Sequence, residues 1–171
     1  IIGNVFCFNG KKIKFKGVNH HDSHPVTGYA MSHADLEKDI KLMKELNVNS
    51  VRTSHYPPDP FFITLCDIYG LYVVDEADIE THGAWEVCNE DDNGISHDIR
   101  WQHHYVDRVM RMYKRDRSHT SVTMWSLGNE AGYGPNFENA YDWIKAEDPS
   151  RLVQYEQAGR TGKTDIYCPM Y

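Results

Sequence analysis

The sequence has 171 residues, 40% hydrophobic and 25% charged, enough apolar material for one domain with a real core. Lys and Arg number 18 against 25 Asp and Glu, a formal charge of −7 that argues against a nucleic-acid or anionic-membrane surface as the main partner. No run approaches the ~18 consecutive apolar residues of a membrane span, and the steady recurrence of aliphatic and aromatic residues excludes a disordered chain.

In chain order, Val5-Phe6-Cys7-Phe8 and Lys12-Ile13-Lys14-Phe15 flank Asn9-Gly10, the pair that supplies the two positive-φ positions of a type I′ hairpin turn. Residues 13–18 read as a strand. Ser32-His33-Ala34-Asp35 has the form of a capping box, and Leu36, Ile40, Met43 and Leu46 follow at helical spacing. Residues 50–53 are a short strand, after which Asp59-Pro60 opens a helix that Gly70 closes. Residues 71–74 form a buried strand. From Ile79 to about Ile99 the chain is irregular and acidic at Glu90-Asp91-Asp92. A long helix then places Tyr105, Val109 and Tyr113 on one face and Arg108, Arg111 and Arg115 on the other. Residues 121–127 are the next strand. A helix led by Gly134-Pro135 stops at Asp148-Pro149, and residues 152–155 and 165–168 give two more strands.

Six strands alternating with four helices mean parallel βα units. A doubly wound sheet would want a Gly-rich turn after its first strand, where Gly17-Val18-Asn19-His20-His21 stands instead. A complete barrel needs ~250 residues. The expectation is therefore an α/β fold, a (β/α)8 TIM barrel truncated after about six strands. It fills residues 1–171, with 1–12 a hairpin leading in from a preceding domain. The start at Ile1 and the stop after an apolar run both read as cut ends. Cys7, Cys66, Cys88 and Cys168 lie far apart with no C-x-x-C pair, which speaks against disulfides or a zinc cluster and for a reducing, cytoplasmic setting.

In a barrel, the residues after each strand gather at one face, where active sites are built. Here those positions hold Asn19, His20, His21, Asp22 and His24; Arg52 and His55; Asp75, Glu76, Asp78, Glu80 and His82; Asn129 and Glu130; Glu156; and Tyr171. Glu130 follows an apolar strand through Gly128-Asn129, so its carboxyl projects over the barrel mouth and suits a general acid, although a helix-start glutamate would look the same. Glu80 and His82, two apart, share one side of an extended segment and with Glu130 could chelate Mg²⁺, or Mn²⁺ given the imidazole; a hydrogen-bonded loop pair is the plain alternative. His20-His21-Asp22-Ser23-His24 offers a rival metal-hydrolase reading, without the helical H-E-x-x-H arrangement. Trp85 and Trp101 could stack on a sugar ring or simply pack.

Several longer motifs occur in order: Gly17-Val18-Asn19-His20-His21-Asp22, Val51-Arg52-Thr53-Ser54-His55-Tyr56-Pro57, Tyr72-Val73-Val74-Asp75-Glu76, Glu80-Thr81-His82-Gly83, Trp125-Ser126-Leu127-Gly128-Asn129-Glu130 and Cys168-Pro169-Met170-Tyr171. Together they closely resemble the catalytic barrel of the bacterial β-galactosidases in glycoside hydrolase family 2. The resemblance implies retaining hydrolysis of terminal β-D-galactosides such as lactose. It implies Glu130 as acid/base, Asn129 on the sugar 2-hydroxyl, and Glu80, His82 and Glu130 as Mg²⁺ ligands. His21 and His55 become galactose-binding histidines, Arg52 the arginine beside the nucleophile, and Tyr171 the tyrosine that touches it. The nucleophilic glutamate belongs to a seventh strand, beyond this sequence, so the piece alone is expected to be inactive. Expected partners are the β-galactoside, the remaining domains and other copies of a homo-oligomeric parent, with no nucleic acid or membrane. A β-glucuronidase or β-mannosidase of the same family and a non-catalytic carbohydrate-binding protein are the alternatives.

Overall fold

The computed structural model describes residues 1–85 and 94–170. Its centre is a parallel sheet of β3 (Gly17–His20), β4 (Ser50–Thr53), β5 (Tyr72–Glu76), β6 (Val122–Ser126) and β7 (Leu152–Gln154), each strand lying beside the next in sequence. A doubly wound sheet reverses its strand order at a switch point. This one never reverses, so it is an arc of a barrel wall. A small hairpin, β1 (Cys7–Phe8) and β2 (Lys11–Lys12), precedes it and turns through Asn9 and Gly10 at φ 49° and 74°, as their sequence demands.

The helices α1 (His33–Glu45), α2 (Pro60–Tyr69), α4 (Gln102–Asp116) and α5 (Pro135–Glu147) fall where the apolar spacing puts them, with a short α3 (His82–Trp85) besides. Ser32 and Asp35 close the capping box reciprocally, Asp59 accepts from Phe61 N at 2.8 Å, and Gly70 ends α2 at φ 70°. Leu36, Ile40, Phe62, Leu65, Val109, Phe137 and Ile144 pack against Val51, Val73, Trp125 and Val153 of the strands. None of the helices described is long and apolar enough to cross a membrane.

Side chains alternate across a strand. Val51, Thr53, Val73 and Asp75 therefore turn to the helices, while Arg52, Val74, Glu76 and Gln154 face the inside of the arc. That inner side is an open cavity of about 490 Å³, whose lining also includes Phe6 and Phe15 of the hairpin region. Phe8 and Phe15 pack edge-on against Tyr72 at 5.5 and 5.6 Å.

Two expectations change. The first strand starts later than residue 13, because Lys16 N and Lys14 O bond the Asn49 side chain instead of a strand neighbour. Residues 165–168 form a single parallel bridge, Gln154 to Ile166, and the sheet has five strands. The reason is local: Asp165 turns its carboxylate to Lys145 and to Val153 N, and Thr164 caps the segment by bonding Ile166 O.

Candidate active site

The ends of β4, β5 and β6 carry the site. Glu76, without exposed surface, accepts from Arg52 Nε at 2.6 Å, from Arg52 Nη2 at 3.1 Å and from Ser126 Oγ at 2.6 Å. His55 Nδ1 lies 2.7 Å from its Oε1, just past the cis Ser54–His55 peptide. Arg52 Nη2 also donates to Asn129 Oδ1 at 3.0 Å, and Asn129 Nδ2 donates to Glu80 Oε1 at 2.9 Å. One continuous chain of charge-assisted bonds thus joins three strand ends. The His21 ring stands edge-on to His55, centroids 5.3 Å apart.

Beyond the strand ends the β5–β6 pairing continues: Asn129 N donates to Ile79 O at 2.8 Å, and Glu80 and Asn129 form a parallel bridge. Gly128 permits this approach, since a Cβ there would lie 2.5 Å from Ile79 O. Two residues on, Glu130 takes φ 41°, a left-handed conformation uncommon for a glutamate. Its Oε2 lies 2.7 Å from His82 Nε2, and His82 Nδ1 lies 3.7 Å from Glu80 Oε1. One ligand atom from each of Glu80, His82 and Glu130 falls within 4.8 Å of the other two.

The structure brings together Glu80, His82, Glu130, Asn129, Arg52, His55 and His21. It corrects how two of them get there. His82 opens the helical turn α3, so the Glu80–His82 pair converges through that turn and does not share one side of an extended strand. Glu130 stands outside α5, which starts at Pro135, and is no helix-start glutamate.

The rival histidine cluster disperses. His20 stacks on Phe62 at 4.3 Å with Nε2 3.0 Å from Asp39, Asp22 accepts from Asp59 N at 2.8 Å, and His24 Nδ1 accepts from Val26 N and Thr27 N at 3.2 Å. Trp101 lies on a separate cavity of about 370 Å³ whose wall also includes Glu80 and Thr81. Tyr171, the side chain of Trp85 and Glu90-Asp91-Asp92 lie outside the described residues.

Two residues carry more of the site than their sequence context announces. Glu76 is its hub, and the inward alternation of β5 was the signal available. Glu156 Oε1 accepts from Glu130 N at 2.7 Å, and burial pushes its carboxyl above the usual carboxylate range. The Gln-Tyr-Glu stretch gives no sign of that bond.

A parallel arc with helices on its outside and acid, imidazole and amide groups crowding the C-terminal strand ends is the arrangement at which TIM barrels build their active sites. The chain belongs to the glycosyl hydrolases family 2, TIM barrel domain, whose family model matches residues 1–171. It is 49% identical over 172 residues to a β-galactosidase of Pseudoalteromonas haloplanktis, covering 100% of this chain and 16% of that protein. Among solved structures it is similar to a β-D-glucuronidase of Dictyoglomus thermophilum, with TM-score 0.77, 26% identity and coverage of 92% and 28% of the two chains. It is also similar to a β-glycosidase of Bacteroides vulgatus, with TM-score 0.73, 33% identity and coverage of 93% and 20%. The chain thus spans about a sixth to under a third of the lengths of these relatives.

Proposed function

We propose that the chain is part of the catalytic barrel of a longer retaining β-galactosidase. Glu130 protonates the departing glycosidic oxygen and later takes a proton from water. A second carboxylate, about 5–5.5 Å from it and supplied from outside this chain, forms the glycosyl-enzyme bond. Asn129 faces the sugar 2-hydroxyl, His21 and His55 take further galactose hydroxyls, and Arg52 stands beside the nucleophile, which Tyr171 touches. The observation that carries the reading is the convergence of the Glu130 carboxyl on Glu80 and His82, next to an asparagine already oriented by Arg52. The 49% identity to a β-galactosidase supports the choice of sugar.

Two carboxylates and one imidazole with ligand atoms within 4.8 Å, two of the three exposed, fit a small hard cation that keeps several waters. Glu80, His82 and Glu130 would hold Mg²⁺, and the imidazole admits Mn²⁺. When bound, the cation supplies positive charge beside the Glu130 carboxyl. Membership of a homo-oligomer with further domains is part of the same proposal.

The test uses the full-length protein. It should hydrolyse nitrophenyl β-galactosides and lactose. Glu130→Gln should lower kcat/KM for lactose by about 10²–10⁴-fold, the usual worth of a general acid, while an activated aryl galactoside loses far less because its leaving group needs no proton. Chelation should weaken activity without abolishing it, and Mg²⁺ should restore it. Failure on every galactoside would overturn the reading. A β-glucuronidase is the second reading, favoured by the solved β-D-glucuronidase at TM-score 0.77, and turnover of a glucuronide in preference to a galactoside would establish it.

A further inference from the structure

The loop after β6 hangs from the segment after β7 by three successive backbone N–H groups. Glu130 N donates to Glu156 Oε1 at 2.7 Å, Ala131 N to Tyr155 Oη at 3.0 Å, and Gly132 N to Gln157 Oε1 at 2.6 Å. Tyr155 Oη in turn donates to Gly132 O at 2.6 Å. The first of these bonds falls on the residue with the left-handed backbone, Glu130 at φ 41°. Such a conformation persists in a glutamate only when its surroundings hold it. The direction of the Cα–Cβ bond, and so the reach of the carboxyl to His82 at 2.7 Å, depends on it. Glu156 and Glu130 also share the wall of a cavity of about 210 Å³ with Gln157, Tyr167 and Met170, so the tether sits beside open space at the rim.

From this geometry we infer that Glu156 is a positioning residue for the acid/base: its side-chain acceptor fixes the Glu130 peptide and thereby aims the Glu130 carboxyl. The inference rests on the proposed acid role of Glu130. It requires an acceptor of the right length at 156, and a charge is not needed, since the amide oxygen of Gln157 serves Gly132 in the same way.

The test measures kcat/KM in the full-length protein for lactose and for a dinitrophenyl β-galactoside, with thermal melts of each variant. Glu156→Met keeps the length and removes the acceptor. It should lower kcat/KM for lactose by about 10²-fold, up to the worth of the general acid itself, and that for the dinitrophenyl substrate by less than about threefold. Glu156→Gln should restore both to within about threefold. If Glu156→Met does not fold, Glu156→Asp, which draws the acceptor back by one methylene, carries the test with the same leaving-group split. A uniform loss on both substrates, no loss, or a Glu156→Gln variant as impaired on lactose as Glu156→Met would overturn the inference. Glu130→Gln is run alongside. If it shows no leaving-group dependence, the acid assignment itself fails. If it does and the Glu156 variants do not, only the tether fails.

Discussion

Asp75 and Glu76 are neighbours on β5, both buried, and they point to opposite sides of the sheet. Glu76 on the inner side accepts from Arg52 and Ser126 of the strands that flank it, and His55 Nδ1, just past β4, lies 2.7 Å from its Oε1. Asp75 on the helix side accepts one bond, from Thr53 Oγ1 at 3.2 Å, and its Oδ2 has no partner among the described residues. Burial, and then the nearby Asp116, push the Asp75 carboxyl well above the usual carboxylate range, against the pull of Arg115. Thr53 stands between the two, since its Oγ1 also accepts from Glu76 N at 2.9 Å. Burial is common to both acids, so it cannot decide what either does. The donors around each carboxyl decide it, and Glu76 is the one supplied with them.

Removing the Glu76 carboxylate is the hardest blow to that comparison. Glu76→Leu strands the half-buried Arg52 guanidinium and His55 without their shared acceptor. Breaking a fully buried pair from one side typically costs about 3–5 kcal/mol, and partial access to water brings this one to about 2–3 kcal/mol. The full-length protein should melt well below the parent. Galactoside hydrolysis should fall by more than about 10²-fold, because Arg52 loses the anchor that lets it orient Asn129. Glu76→Gln, which keeps one acceptor oxygen, should lose less of both. A stable Glu76→Leu variant with full activity would show that the inner donors are decorative.

Asp148 sharpens the contrast from the helix side, where an acid can stay charged if donors are present. It accepts from Trp125 Nε1 at 2.9 Å, Ser150 N at 3.1 Å and Arg151 Nη1 at 2.9 Å. Burial alone would raise its pKa, but the bonds from Ser150, Trp125 and Arg151 outweigh that and hold it below the usual range. A depressed folded value means that Asp148 adds stability at and above its unfolded pKa of about 3.9, and that this is lost as pH falls below it. Asp148→Ala should cost about 3 kcal/mol at pH 7, read from denaturant unfolding. The gap between parent and variant should narrow below about pH 4. An undiminished gap there would break the argument.

The barrel wall was legible because its signals are local: capping box, Asn-Gly turn, Pro at helix starts, and apolar strands between helices. Motif order also marked Glu130, Asn129, Glu80 and His82. What stayed hidden is what depends on contacts across the sheet. The end of the fifth βα unit reads as a strand from 165 to 168, yet Lys145 and Val153 N claim Asp165. His20 looks like a ligand in its histidine run, yet alternation on β3 turns it to Phe62. Glu156 is an ordinary strand-end acid until the Glu130 N–H arrives from 26 residues away. Spacing along the chain carries no record of such meetings.

The gentlest probe is Asp75→Asn, and its sign is the informative part. A folded pKa raised above the unfolded one means that the carboxyl contributes its full stability below about pH 3.9, and that this is lost as pH climbs through the raised folded value. The variant removes that loss, so its stability relative to the parent should improve as pH rises from 4 towards neutrality. At pH 7 the change should be neutral or stabilising, within about 1 kcal/mol. The amide keeps an acceptor for Thr53 Oγ1 and brings a donor to the Asp116 side, and the residue faces the helices, so galactoside hydrolysis should not change. Denaturant melts at several pH values read this directly. A loss of more than about 2 kcal/mol at pH 7 would mean that the outer carboxyl is stabilising at neutral pH in spite of its missing donors, and the difference between the two acids of β5 would then have to be sought elsewhere.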